Sequence, residues 1–161
     1  MDTAIELDFA DGKYRFWLGL PQALELERKC GGKDSDGVLR PKSIFKIYDE
    51  LSQGLGLIDE KAIFVGGGAA NAADVLEIVR LGLIGGARGQ VSGEEKEIGP
   101  LTAAQLVKDY CFPARPLSES LSVAWAVLNA AIEGVSLKKK AETPGSKAAV
   151  NVDTKPCEKG Q

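Results

Sequence analysis

The chain opens on Ile5-Glu6-Leu7-Asp8-Phe9, an alternation of period two that gives a strand one apolar face. Ala10-Asp11-Gly12-Lys13 follows. Asp-Gly marks a tight hairpin turn, because a type I′ turn needs positive φ at both central positions. Tyr14-Arg15-Phe16-Trp17-Leu18 is then the return strand. A lone hairpin is marginal in water, so it has to pack on other elements. Beyond Pro21 the apolar spacing lengthens. Gln22–Cys30 reads as a helix, with Pro21 tolerated at its first turn, Leu20, Ala23, Leu24 and Glu27 spaced along its turns, and Gly31-Gly32 as its stop. A second helix starts at Pro41 or Lys42, shows Ile44, Phe45, Ile47, Tyr48 and Leu51 as its apolar face, and ends at Gln53-Gly54-Leu55-Gly56.

A third helix, capped by Asn71 or Asp74, carries Val75, Leu76, Ile78, Val79, Leu81 and Leu83 and stops at Gly85-Gly86. A fourth runs from Pro100 or Leu101 to about Tyr110–Phe112. The fifth spans about Leu117–Glu133, with Ser118 as cap and Leu121, Val123, Ala124, Leu128, Ala131 and Ile132 inward. Lys33–Arg40 and Ala87–Gly99 read as polar loops, and Lys61–Val65 as a short apolar segment. The pattern therefore predicts an α+β fold: an N-terminal β-hairpin packed on about five α-helices. After Leu137 the apolar pattern ends. Residues 138–161 are expected to form a disordered Lys-rich tail that cannot bury enough apolar surface to offset chain entropy. The organisation is one domain, 1–137, followed by that tail.

Composition narrows the chemistry. Of 161 residues, 20 are Lys or Arg, 23 are Asp or Glu, and none is His. The net charge of −3 conceals a domain at −6 and a tail at +3. An acidic domain argues against nucleic acid as a partner. The missing histidine removes Ser-His-Asp and Cys-His catalysis and any imidazole-bound zinc. Cys30, Cys111 and Cys157 are scattered, which argues against a disulfide framework and for a reducing cytoplasm. Met1–Phe9 has no basic leader region, and Leu117–Val135 is interrupted by polar residues, so neither a signal peptide nor a membrane span is expected.

No motif carries a catalytic signature. Lys61–Asp74 (KAIFVGGGAANAAD) has Gly66 and Gly68 where a dinucleotide fingerprint has its first two glycines, but Asn71 stands at the third. It reads as a connector leading into a helix cap. Lys33-Asp34-Ser35-Asp36-Gly37 lacks the key carboxylates of a calcium loop and reads as a solvated turn. Cys30 lies at a helix C-terminus, where the dipole disfavours thiolate, and Cys111 lies in an apolar setting. Trp125 reads as a core anchor. Trp17, on a short hairpin with one open face, reads as core or interface. No catalytic residue, metal ligand or cofactor is expected.

The ordered segments carry a resemblance. Phe9-Ala10-Asp11-Gly12-Lys13-Tyr14-Arg15-Phe16 is followed by Leu24-Glu25-Leu26-Glu27 and Lys29-Cys30-Gly31. Later come Asp74–Gly86 (DVLEIVRLGLIGG), Leu106-Val107 with Tyr110, Arg115-Pro116-Leu117, and Ala130-Ala131-Ile132-Glu133-Gly134. Over about residues 4–135 this order resembles the tail assembly chaperone family of siphophages and gene transfer agents, most tellingly in Glu77–Gly86. Lys33–Arg40, the Gly66–Gly68 region and Ala87–Gly99 look longer than in typical members. The resemblance implies binding of the tape measure protein and of tail tube subunits in the host cytoplasm, with no enzymatic residues. The alternatives are a structural minor tail or tube-associated virion protein and a small nucleotide-binding enzyme. A chaperone of this kind needs exposed apolar or edge surface. Tyr14, Phe16 and Trp17 are the expected edge for β-augmentation, and Leu81, Leu83 and Ile84 an expected groove for a partner helix. Homo-oligomerisation is left open.

Overall fold

In the computed structural model, residues 2–59 and 61–135 are described. They form five helices and eight strands. The predicted tail, 138–161, lies outside the described residues. The hairpin is β1 (Ile5–Phe9) and β2 (Gly12–Phe16), paired from Ile5 opposite Phe16 to Phe9 opposite Gly12. The period-two alternation holds, with Glu6 and Asp8 exposed and Phe9 buried. The turn differs from the expectation. Its two residues are Ala10 and Asp11, and Ala10 alone takes positive φ (55°). Gly12 serves the sheet instead: a Cβ there would lie 2.3 Å from the Gln90 carbonyl oxygen of the neighbouring strand.

That neighbour overturns the expected loop at Ala87–Gly99. The segment is a second hairpin, β7 (Arg88–Val91) and β8 (Glu94–Glu97), which completes an antiparallel sheet in the order β1-β2-β7-β8. Its turn, Ser92-Gly93, has positive φ at both residues (52° and 84°), the I′ requirement. Charged composition hid these strands, because every β8 residue is an exposed Glu or Lys. Two smaller ribbons lie in the expected loop Lys33–Arg40 and around the expected short apolar segment Lys61–Val65. β3 (Gly32–Lys33) pairs β4 (Leu39–Arg40), and β5 (Leu55–Ile58) pairs β6 (Lys61–Phe64).

The helices are α1 (Leu20–Lys29), α2 (Ile44–Ser52), α3 (Ala72–Gly86), α4 (Pro100–Tyr110) and α5 (Leu117–Glu133). Ser43 caps α2 by accepting from the Phe45 N–H. Pro116 stands at the N-cap of α5, so Ser118 is not its cap. α3 is the centre: Val75, Ile78, Val79, Leu81 and Leu83 are buried against the sheet, α1, α4 and α5. The other face of the four-stranded sheet is a solvated ladder of Glu6, Lys13, Arg15, Arg88, Gln90 and Glu95. Three expected apolar positions point outward, Phe45 on α2 and Leu20 and Leu24 on α1.

The glycines expected to stop the third helix lie inside it. Gly85 and Gly86 are helical, and the left-handed cap is Ala87 (φ 57°). Their role is close approach. A Cβ on Gly86 would lie 1.8 Å from the Arg15 carbonyl oxygen, and one on Gly85 2.0 Å from that of Trp17. The Trp17 N–H donates to the Gly82 carbonyl at 3.0 Å, so β2 runs onto the helix backbone itself. Gly86→Ala is therefore expected to lower stability by about 3 kcal/mol through overpacking. Gly32→Ala, where no atom lies within 4 Å of the added Cβ, should change it far less. Urea denaturation of both variants measures the difference.

Candidate protein-docking surfaces

The six residues expected to meet a partner part company in the structure. Tyr14, Phe16, Leu81 and Leu83 are buried, and Ile84 is half-buried against the core. β2 is no sheet edge, since Lys13 and Tyr14 pair with Gln90 and Gly89 on its far side. No groove opens around Leu81 and Leu83, because α3 is enclosed by its neighbours. These four side chains form core, and their apolar sequence pattern suits either role. Trp17 alone is open, at 37% exposure.

Trp17 belongs to a patch the sequence reading did not assemble. Its indole N–H donates to Thr3 Oγ1 at 3.0 Å, and the Arg15 guanidinium lies 5.9 Å from the ring centroid. Gly19 sits against the ring, where a Cβ would come within 3.0 Å. Leu20 and Leu24, one turn apart on α1, are 72% and 57% exposed. The periodicity of α1 was visible in the sequence, but its orientation was not. Leu26 is the buried residue of this helix.

A second apolar surface is the β5–β6 ribbon. Cross-strand partners share a face, so Leu55, Leu57, Ala62 and Phe64 lie on one side, and Gly56, Ile58, Lys61 and Ile63 on the other. Phe64, Gly67, Gly68, Leu51, Val75 and Leu121 line a cleft of about 240 Å³ beneath the first face. Among the described residues no element covers the second face, where Ile58, Ile63 and the following Val65 are large and exposed. Two short apolar runs separated by Asp59-Glu60-Lys61 were the available sequence signal for this ribbon.

The polar groups between the helices are structural in their geometry. Lys42 Nζ pairs with Glu50 and, at 3.1 Å, with the buried Asp74 carboxylate. The Lys42 N–H donates to the Glu27 carbonyl oxygen, and the Ile44 N–H to the Glu27 carboxylate, both at 2.9 Å. Burial favours neutral lysine, but Glu50 and Asp74 outweigh it and hold the Lys42 pKa above its ordinary value. Burial and the adjacent Asp74 push the Cys30 thiol up to about 12, the opposite of an activated nucleophile. Cys111 is fully buried, and burial raises its pKa too. Trp125 stacks on Tyr48 at 6.3 Å and donates to Ser52 Oγ at 3.1 Å, an anchor packed on the core.

Neither rival motif finds its context. The segment Lys61–Phe64 pairs in a two-stranded antiparallel ribbon, where a dinucleotide fingerprint needs a parallel βαβ unit. Asp34 accepts from the N–H groups of Asp36 and Val38 and from Arg40, which makes its loop a closed turn. Among the described residues, no cluster of three or more His, Cys, Asp or Glu residues is placed to hold a metal ion, and no helix is long and apolar enough to cross a membrane. No family model matches the chain, and neither a curated protein nor a solved structure does.

Lys42→Met strands the Asp74 carboxylate and is expected to cost about 3 kcal/mol. The sign of the pH effect follows from the raised lysine pKa. The contribution is full below the ordinary lysine value and is lost as pH rises through the higher folded one. Denaturant unfolding of both proteins across the alkaline range should show the gap between them narrowing.

Proposed function

We propose that this chain is a tail assembly chaperone of a phage or gene transfer agent. It binds tape measure and tail tube proteins during tail morphogenesis, works in the host cytoplasm, and acts by association with no catalytic step. The observation that carries this reading is the ordered series of motifs from Phe9 to Gly134, centred on Glu77–Gly86. The geometry supports it in one respect. A binding protein needs apolar surface open to a partner, and Trp17, Leu20 and Leu24, close together along the chain, are all exposed.

The partner surface in this reading is that patch, in place of the buried edge and groove. A tape measure or tube segment would lay an apolar side chain row against α1 while Trp17 fills a pocket on the partner. The combined substitutions Trp17→Glu and Leu24→Glu are expected to cut co-purification with the tape measure and tube proteins encoded beside this gene by about tenfold or more. Circular dichroism should stay native. The corresponding change at Leu83, which is fully buried, should instead unfold the domain. Purified particles should lack the chain. Its presence there in stoichiometric amount would make it a virion component and overturn the chaperone reading.

A further inference from the structure

We propose that the outer face of the four-stranded sheet holds a binding site for a small oxyanion, a phosphoryl group or a carboxylate, between Arg15 and Arg88. The alternation that buries Tyr14 and Phe16 turns Lys13 and Arg15 of β2 to the opposite side. Register then sorts the charges by strand. The outer strands present carboxylates, Glu6 and Asp8 on β1 and Glu95 and Glu97 on β8, while the two middle strands present Lys13, Arg15 and Arg88. One step along the pairing that sets Lys13 opposite Gln90 and Tyr14 opposite Gly89, Arg15 stands opposite Arg88. Like charges directly opposite on two strands are destabilising. A depression of about 190 Å³ opens over them, lined by Lys13, Arg15 and Arg88 together with Glu6 and Glu95. Three cations against two carboxylates reverse locally the sign of a chain whose net charge is −3.

The flanking carboxylates do not neutralise the pair. Glu6 is the cross-strand partner of Arg15, yet the guanidinium that lies 4.0 Å from it is that of Arg88, and both of these side chains are more than half exposed. Among the described residues, no carboxylate lies within 4.0 Å of the Arg15 guanidinium or of Lys13 Nζ. Asp2 feels the Arg15 charge at longer range, but its carboxylate accepts from the Ala4 N–H at 3.1 Å. Neutral groups hold Arg15 in place. Its Nη1 donates to the Gly86 carbonyl oxygen at 3.5 Å, and its guanidinium lies 5.9 Å from the Trp17 ring centroid. These contacts position the group and leave its charge uncompensated. A guanidinium offers a fork of N–H donors that matches two oxygens of a carboxylate or phosphate, and two such groups line this one depression. An oxyanion between them removes the like-charge cost and gains charge-assisted hydrogen bonds. Glu6 and Glu95, on the strands to either side, repel anionic charge beyond that point, which limits the ligand to one compact group.

The test is a titration of the full, isotopically labelled chain with inorganic phosphate and, separately, with glutarate, against sodium chloride at matched ionic strength. The readout is the NMR shift of the backbone amides and arginine Nε–H groups. A saturable shift at Arg15, Arg88 and their strand neighbours is expected with phosphate, glutarate or both, and the anion that saturates at lower concentration tells a phosphoryl site from a carboxylate site. Arg15→Gln and Arg88→Gln should each weaken binding by about tenfold, the loss of one charged hydrogen-bond donor group. Arg15→Lys keeps the charge and loses the fork, so it should weaken binding too, and it covers the case in which Arg15→Gln does not fold. Glu6→Gln should instead tighten binding by about threefold, because it releases Arg88 from its exposed pair. Arg40→Gln, on the Asp34 turn, should leave it unchanged. Three results would overturn the proposal: shifts that chloride reproduces, binding indifferent to the arginine substitutions, or a Glu6→Gln variant that binds more weakly.

Discussion

The fold depends on the approach of β2 to the glycines of α3. An α-helix normally meets a sheet through its side chains, which keep the two backbones apart. Here the carbonyls of Arg15 and Trp17 occupy the space where Cβ atoms of Gly86 and Gly85 would be, and Trp17 hydrogen-bonds to the Gly82 carbonyl. The ring of Phe16 lies against Gly82 as well, 3.1 Å from where its Cβ would stand. This contact aligns the N-terminal hairpin on the central helix. It also sets where Trp17 emerges and how α1 leaves the sheet. The position of Trp17 is thus fixed by contacts that its own N–H and carbonyl make with the backbone of α3.

Much of this was legible in the sequence, for identifiable reasons. The period-two run at Ile5–Phe9 and the long stripe from Val75 to Leu83 are strong signals, and each gave the right element. Gly85-Gly86 reads as a terminator because glycine is common at helix ends. The neighbouring backbone of β2 that needs their missing side chains is about 70 residues away in sequence, out of reach of a local pattern. Ala87–Gly99 reads as a loop because Arg88, Glu94, Glu95, Lys96 and Glu97 are polar. An edge strand with a solvated outer face and few core contacts carries little hydrophobic pattern to detect.

The site was less legible, because burial is a tertiary property. Tyr14 and Leu83 have the residue types of an interface and of a core equally, and no local pattern separates the two. Tyr14 is settled by β7 pairing beyond it, which depends on a segment about 75 residues later in the chain. Its hydroxyl, buried with the ring, donates to Asp11 Oδ1 at 2.5 Å, so even its polar atom is used inside the hairpin. Leu24 shows the converse. It sits at helical spacing from Leu20 and would be taken for core, yet α1 turns its Leu26 side inward and leaves both leucines outside.

Three segments of the chain lie at short antiparallel pairings. Lys33–Arg40 holds the β3–β4 pairing, the Gly66–Gly68 region follows β6, and Ala87–Gly99 holds β7–β8. All three therefore border short antiparallel ribbons, but their edges are treated differently. β7–β8 joins the main sheet, and its outer strand is fully charged. β3–β4 is two residues long on each side and closed by the Asp34 turn, too short to template another strand. β5–β6 is longer, stands outside the main sheet and carries its aliphatic residues toward open space. A chain that protects two of its ribbons and leaves the third apolar does not expose that surface for want of polar residues. The charged residues of β5–β6 are confined to Asp59-Glu60-Lys61 at its turn, so the rest of both strands is apolar or glycine.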